Sequence, residues 1–141
     1  MTERTNSTAV SIRPVERTNW RAVAHVGVTE SQREFVMPTT YYLALCHYSE
    51  QGWRPLAVYL GELVIGFLMW AVDPADGACW LGGIQIDQAY QGHGYGRQAI
   101  VTAMRTLAAE QGFHHFALSY QPANTNASRL YATLGFVEGA E

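Results

Sequence analysis

Residues Gln91-Gly92-His93-Gly94-Tyr95-Gly96 set three glycines at alternate positions, between a β-rich apolar run that ends near Asp87 and a run with helical spacing. Glycine accepts positive φ and lets main chain come close to a ligand. At a helix start, successive N–H groups then converge on one point, and the helix dipole adds about half a positive charge there. Such a segment is a seat for an anion. Two familiar anion loops do not fit. A nucleotide phosphate loop needs Gly-Lys-Ser/Thr, whereas Gly96 is followed by Arg97-Gln98. A dinucleotide fingerprint needs Gly-x-Gly-x-x-Gly in an early strand-helix unit, and this Gly-x-Gly-x-Gly comes late.

Working outward, Ala99, Ile100, Ala103, Met104, Leu107 and Ala108 recur at helical spacing until Gly112. Residues 116–120 read as a strand, and Ala127, Leu130, Tyr131 and Leu134 mark one face of a helix closed by Gly135. Upstream, the runs 56–60 and 63–70 flank Gly61-Glu62 as a hairpin, and Asp73-Pro74-Ala75-Asp76-Gly77 leads into a third adjacent strand over 78–87. That predicts an antiparallel meander. Before it, the pattern predicts a strand over 10–13, a helix from about Thr18 and a second helical region over 31–49. The class is α/β (α+β), without internal repeats. Residues 1–8 read as a frayed, disordered start, and 9–141 as a single domain.

The chain has 141 residues, 48% of them hydrophobic, and a formal net charge of -3. All nine basic residues are arginine and none cluster, so the footprint of a nucleic-acid binder is missing. Residues 1–90 hold nine Asp/Glu against six Arg, and residues 91–141 three of each, a bias that favours a cationic substrate in the first part. Cys46 and Cys79 have no paired spacing and read as reduced packing residues. The five histidines, His114-His115 included, show no metal-ligand spacing, so no metal is expected. No signal core and no apolar run near the roughly 18 residues of a membrane span are present, so a cytoplasmic protein is expected.

The pattern Gln91-x-x-Gly94-x-Gly96, five residues after Ile86, resembles the coenzyme A pyrophosphate loop of the GNAT (Gcn5-related) N-acetyltransferase superfamily. Asn124-Thr125-Asn126-Ala127-Ser128-Arg129-Leu130-Tyr131-Ala132-Thr133-Leu134-Gly135-Phe136 is similar to its second signature, Asn-x-x-Ala-x-x-Leu-Tyr-x-x-Leu-Gly-Phe. Residues 87–96 together with Leu118-Ser119-Tyr120-Gln121-Pro122 look closest to the spermine/spermidine acetyltransferase-like branch. The resemblance implies a mixed, mostly antiparallel sheet flanked by about four helices, and acetyl-CoA as co-substrate. It implies a pyrophosphate seat at Gln91, Gly92, His93, Gly94, Tyr95, Gly96 and Arg97. It also implies main-chain donors at Ile84, Gln85 and Ile86 facing the thioester, and contacts to the cofactor from Asn124 and Ser128.

By the same resemblance Tyr131 protonates the departing thiolate; the sequence departs from the superfamily's carboxylate on the strand before the loop, and Asp87, or Glu34, is the candidate to take the amine's proton through water. Plainer readings stand beside these: a packing tyrosine on an apolar face, a helix cap at Asn124, an exposed Arg97, a His93 offering only its N–H, and surface carboxylates. Trp20, Phe35, Tyr41, Tyr42 and Trp80 are candidates for an acceptor pocket or for core. The implied reaction moves acetyl to the primary amine of a small cationic acceptor, such as a polyamine. A protein or peptide amine, an aminoglycoside, or a non-catalytic acyl-CoA-binding module are the alternatives. Two departures from the superfamily stand out. Gly82-Gly83 and the non-titrating Gln85 occupy places where bulkier polar residues are frequent. Residues 137–141 are too few for the usual last hairpin, so the C-terminal strand is expected to be short or missing, with its sheet edge covered in a homodimer.

Overall fold

In the computed structural model five strands lie in one sheet in chain order: β1 (Val10–Pro14), β2 (Arg54–Leu60), β3 (Leu63–Val72), β4 (Cys79–Ile86) and β5 (Phe116–Leu118). β1 to β4 pair antiparallel, and β4 pairs parallel with β5. Among the described residues four helices flank them: α1 (Trp20–Ala24), α2 (Thr39–Tyr48), α3 (Tyr95–Gln111) and α4 (Thr125–Thr133). This is the expected mixed α/β architecture. The structure describes residues 9–120 and 123–137; the expectations for 1–8, Gln121-Pro122 and 138–141 fall outside the described residues.

β3 is an uninterrupted apolar run because both of its faces are covered. Ile65, Leu68 and Trp70 pack with Ile100, Ala103 and Leu107 of α3, whereas Phe67 and Met69 pack with Val23 of α1 and with Leu43 and Leu45 of α2. The sheet therefore separates two cores. The periodicity read from residues 99–108 is the buried stripe of α3, and Gly112 ends that helix in the left-handed conformation that favours glycine.

The region expected as one helix over 31–49 is divided. Pro38 has no N–H to give and disfavours helical backbone at Met37, so α2 begins only at Thr39. Ahead of it, Thr29 and Gln32 form a capping box around a 3-10 turn, Glu30–Gln32. α1 is short and starts at Trp20. Asn19 rather than Thr18 precedes it, and its amide donates to the Pro14 carbonyl at 3.1 Å and to the Tyr59 hydroxyl at 3.0 Å.

Two features of β4 make the site. Phe67 of β3 faces Gln85 and Met69 faces Gly82, so β4 carries one extra residue, a bulge. Gly83 lies there at φ 61°, and a Cβ on it would stand 3.1 Å from Phe67 and 3.3 Å from Tyr42, whose rings stack 6.0 Å apart. The chain path thus requires glycine at this departure from the superfamily. The second feature is brevity: β5 pairs only with Cys79, Trp80 and Leu81, so from Gly82 to Ile86 that edge of β4 has no strand partner among the described residues.

Candidate active site

Helix α3 has no capping side chain at its N-terminus, and Gly94, at φ 81°, is its N-cap. Gly92 lies at φ 85°, and a Cβ at either glycine would meet nothing within 4 Å. The start of α3 is therefore free of side-chain bulk at these two positions. Gly92, Gly94, Tyr95 and Gly96 line one side of a cavity of about 550 Å³. Ile84, Gln85 and Ile86 line it from the unpaired edge of β4, and Asn124 and Tyr131 from the segment carrying α4. Ser31, Glu34 and Phe35, between α1 and α2, close the remaining wall.

Of the residues expected at the site, Gln91 is the most heavily engaged. Its Nε2 donates to the Ile86 carbonyl at 2.8 Å and to Gln32 Oε1 at 2.9 Å, and its Oε1 accepts from Gln32 Nε2 at 3.1 Å. It faces the cavity with its side-chain amide already spent on protein. Asn124 lines the cavity and also caps α4, its Oδ1 accepting from the Ala127 N–H at 3.3 Å. Three expected contacts lie off the lining. Arg97 donates to Thr133 Oγ1 at 2.7 Å, the Ser128 hydroxyl meets Tyr120 Oη at 3.3 Å, and the His93 ring rests 5.5 Å from that of Tyr95.

Asp87 also lies off the lining. One carboxylate oxygen accepts from the Gly27 N–H at 2.9 Å and the other from the Ala89 N–H at 3.1 Å, so it braces two turns. Glu34 is the one carboxylate among the described residues lining the cavity. Tyr131 both lines the cavity and packs on the core, its ring 5.5 Å from Tyr120 and 6.1 Å from Phe136. Burial, and after it the neighbouring Tyr120, raises its pKa, so the phenol keeps its proton well past neutrality.

Sequence reasoning missed Gln32 and the side chain of Gln85. Gln85 is 3% exposed and donates from Nε2 to the Met37 carbonyl at 2.8 Å, while Tyr42 Oη accepts from the Met37 N–H at 3.1 Å. The Thr29-x-x-Gln32 capping pattern was visible, but its partner 59 positions away was not. Of the five aromatic candidates, Phe35 alone lines the cavity, whereas Trp20 and Tyr41 are 42% and 48% exposed. Among the described residues no three His, Cys, Asp or Glu side chains gather as a metal site, and no helix is long and apolar enough to cross a membrane.

Comparison with solved structures gives the same fold at low identity. The spermidine N-acetyltransferase from Vibrio cholerae in complex with CoA and spermine superposes with a TM-score of 0.74 and 21% identity, covering 93% of this chain and 82% of that one. An aminoglycoside 6'-N-acetyltransferase from Acinetobacter haemolyticus gives 0.67 and 16% over 93% of each chain. The ribosomal-protein-alanine N-acetyltransferase from Brucella melitensis biovar Abortus 2308 gives 0.67 and 15% over 94% and 95%. No curated protein sequence matches the chain. The model of the acetyltransferase (GNAT) family matches residues 16–136, which takes in the start of α3, the unpaired edge of β4 and the α4 signature. The chain belongs to the acetyltransferase (GNAT) family and is an acetyl-CoA dependent N-acetyltransferase.

Proposed function

We propose that this chain transfers acetyl from acetyl-CoA to the primary amine of a small acceptor that arrives as a cation. The observation that carries this reading is the run of open backbone from the uncapped start of α3, past the unpaired edge of β4, to Tyr131, all along one cavity. A pyrophosphate fits the α3 terminus, where N–H groups and helix dipole both favour negative charge. Asn124, on the same cavity lining, holds the pantetheine arm in this reading.

Acetyl-CoA supplies an activated carbonyl and a thiolate leaving group. Backbone N–H groups between Ile84 and Ile86 offset the charge that develops on the carbonyl oxygen, an effect worth about 3 kcal/mol for one well-aimed donor. Tyr131 gives its phenolic proton to the departing sulfur. An alkylammonium of pKa about 10.4 costs roughly 4 to 5 kcal/mol to deprotonate at pH 7, and Glu34, on the same cavity, is the base in this reading. Asp87 braces the walls instead.

A polyamine is one acceptor of this class. The acidic excess of residues 1–90 and the fold shared with a spermidine N-acetyltransferase support it. Aminoglycosides and protein N-termini are the other acceptors to compare. The test is CoA release across a panel of amines, paired with melting temperature in the presence of acetyl-CoA. Release with one amine class supports the proposal. Stabilisation by acetyl-CoA without acetylated product from any amine would show a binding module instead.

A further inference from the structure

A second cavity, of about 400 Å³, lies beneath the segment between α1 and α2, within the size range of small-molecule sites. It shares Val28, Val36 and Gln85 with the cofactor cavity, and the Gln85 side chain, which donates to the Met37 carbonyl at 2.8 Å, stands between the two spaces. Most of its wall is apolar: Val26, Met37 and Pro38 as well as the shared valines. Its polar groups are largely engaged. The Thr39 hydroxyl donates to the Val23 carbonyl at 3.1 Å, the Gly27 N–H goes to Asp87 and the Gly27 carbonyl accepts from the Gln88 N–H at 2.8 Å.

The exception is Arg33. It is an exposed residue at the mouth of this cavity and the one charged residue on its lining, and among the described residues its guanidinium makes no hydrogen bond or ion pair. Adjacent in sequence, Arg33 and Glu34 serve different spaces: Glu34 lines the cofactor cavity and Arg33 the second. A ligand here meets a hydrocarbon wall, a fork of N–H donors suited to a carboxylate, and beyond Gln85 the place where acetyl is delivered.

We propose that the second cavity is the acceptor site and that the acceptor is an amine that also carries a carboxylate on a short apolar body, held by Arg33 with its amine toward Gln85. This rests on the acetyl-transfer reading and departs from its polyamine example: the acceptor's amine still arrives protonated, but a carboxylate balances its charge. A polyamine brings only positive charge to Arg33, and no carboxylate on this lining pairs with it.

The experiment compares leucine, β-alanine and leucylglycine with leucinamide and spermidine as acceptors, by CoA release. The same compounds are tested for raising the melting temperature of the CoA-loaded protein. Expected is a preference of about tenfold or more in kcat/KM for leucine over leucinamide, falling to within about twofold of unity in Arg33→Met and partly kept in Arg33→Lys. Stabilisation by CoA alone, retained in both variants, shows that they fold. Equal turnover of acid and amide, a preference for spermidine, or an acid preference that survives Arg33→Met would overturn the assignment. If no amine turns over but carboxylates still stabilise the CoA-loaded protein through Arg33, the site stands and acetyl transfer falls; loss of both signals removes the site as well.

Discussion

The side-chain amides of Gln32 and Gln91 bond to each other in both directions, at 2.9 and 3.1 Å, and so tie the wall between α1 and α2 to the turn that leads into α3. Gln32 also accepts from the Thr29 N–H at 3.2 Å. Gln32→Ala should therefore cost about 1 to 2 kcal/mol of stability and raise KM for both substrates. Gln32→Glu keeps the acceptor oxygen but sets a second, charged oxygen against Gln91 Oε1, so it should not restore the pair. Initial-rate kinetics with both substrates varied will show it; a Gln32→Ala enzyme with unchanged KM values would mean that the pair transmits nothing.

Gly96 separates folding from binding. It has ordinary helical backbone, and an added Cβ would stand 3.7 Å from Ile86, a normal contact. Gly96→Ala should fold with an unchanged or slightly higher melting temperature, since alanine is favoured in helices by up to about 1 kcal/mol. Its methyl group would nonetheless stand at the edge of the anion seat, and KM for acetyl-CoA should rise by about tenfold. An unaltered KM places the pyrophosphate elsewhere.

Tyr131→Phe should leave folding intact and lower kcat by about a hundredfold, the scale of one positioned proton donor. Because the folded-state pKa is raised, its proton is held longer than in the unfolded chain. The stability involved is present in full below the unfolded value near 10 and is lost as pH rises toward the folded one. Melting temperature should therefore fall less steeply above about pH 10 in Tyr131→Phe than in the parent. Parallel alkaline profiles would show that burial of this phenol has no energetic consequence.

Burial pushes the thiols of Cys46 and Cys79 up to about 11. Both stay protonated at pH 8 and should react slowly with iodoacetamide until the protein unfolds. In the folded state the stability tied to these protons is full below the ordinary thiol pKa and declines as pH climbs to about 11. Rapid labelling at pH 8, followed by mass spectrometry, would contradict the burial seen for Cys79.

β5 pairs with β4 on one side, and among the described residues no strand covers the other. We expect a second copy of the chain to do so. Light scattering over a hundredfold dilution should then give the mass of a dimer or a dimer-monomer equilibrium. A monomer mass throughout is the opposing result.

The long elements were readable because their patterns are local. The α3 stripe, the Gly61-Glu62 hairpin and the glycine loop each declare themselves within a few residues. What escaped was set by distant neighbours. Pro38, which divides the 31–49 region, is a local signal, but Gln32 reaching Gln91 is not. Asp87 looked like a base on a strand end, yet its oxygens are taken by Gly27 and Ala89, one of them 60 positions away. Gly82-Gly83 looked like a missing chemical group; Gly83 is a backbone requirement of the bulge, imposed by Phe67 and Tyr42.

Because β5 leaves β4 after Leu81, the opening in the sheet is written into the route of the main chain rather than hinged on any door of side chains. Exchanging a residue on its rim will retune what passes through but will not shut it. Redesign for a bulkier acyl donor should accordingly begin with Phe35 and Ile84 on the cavity lining, leaving the strands as they are.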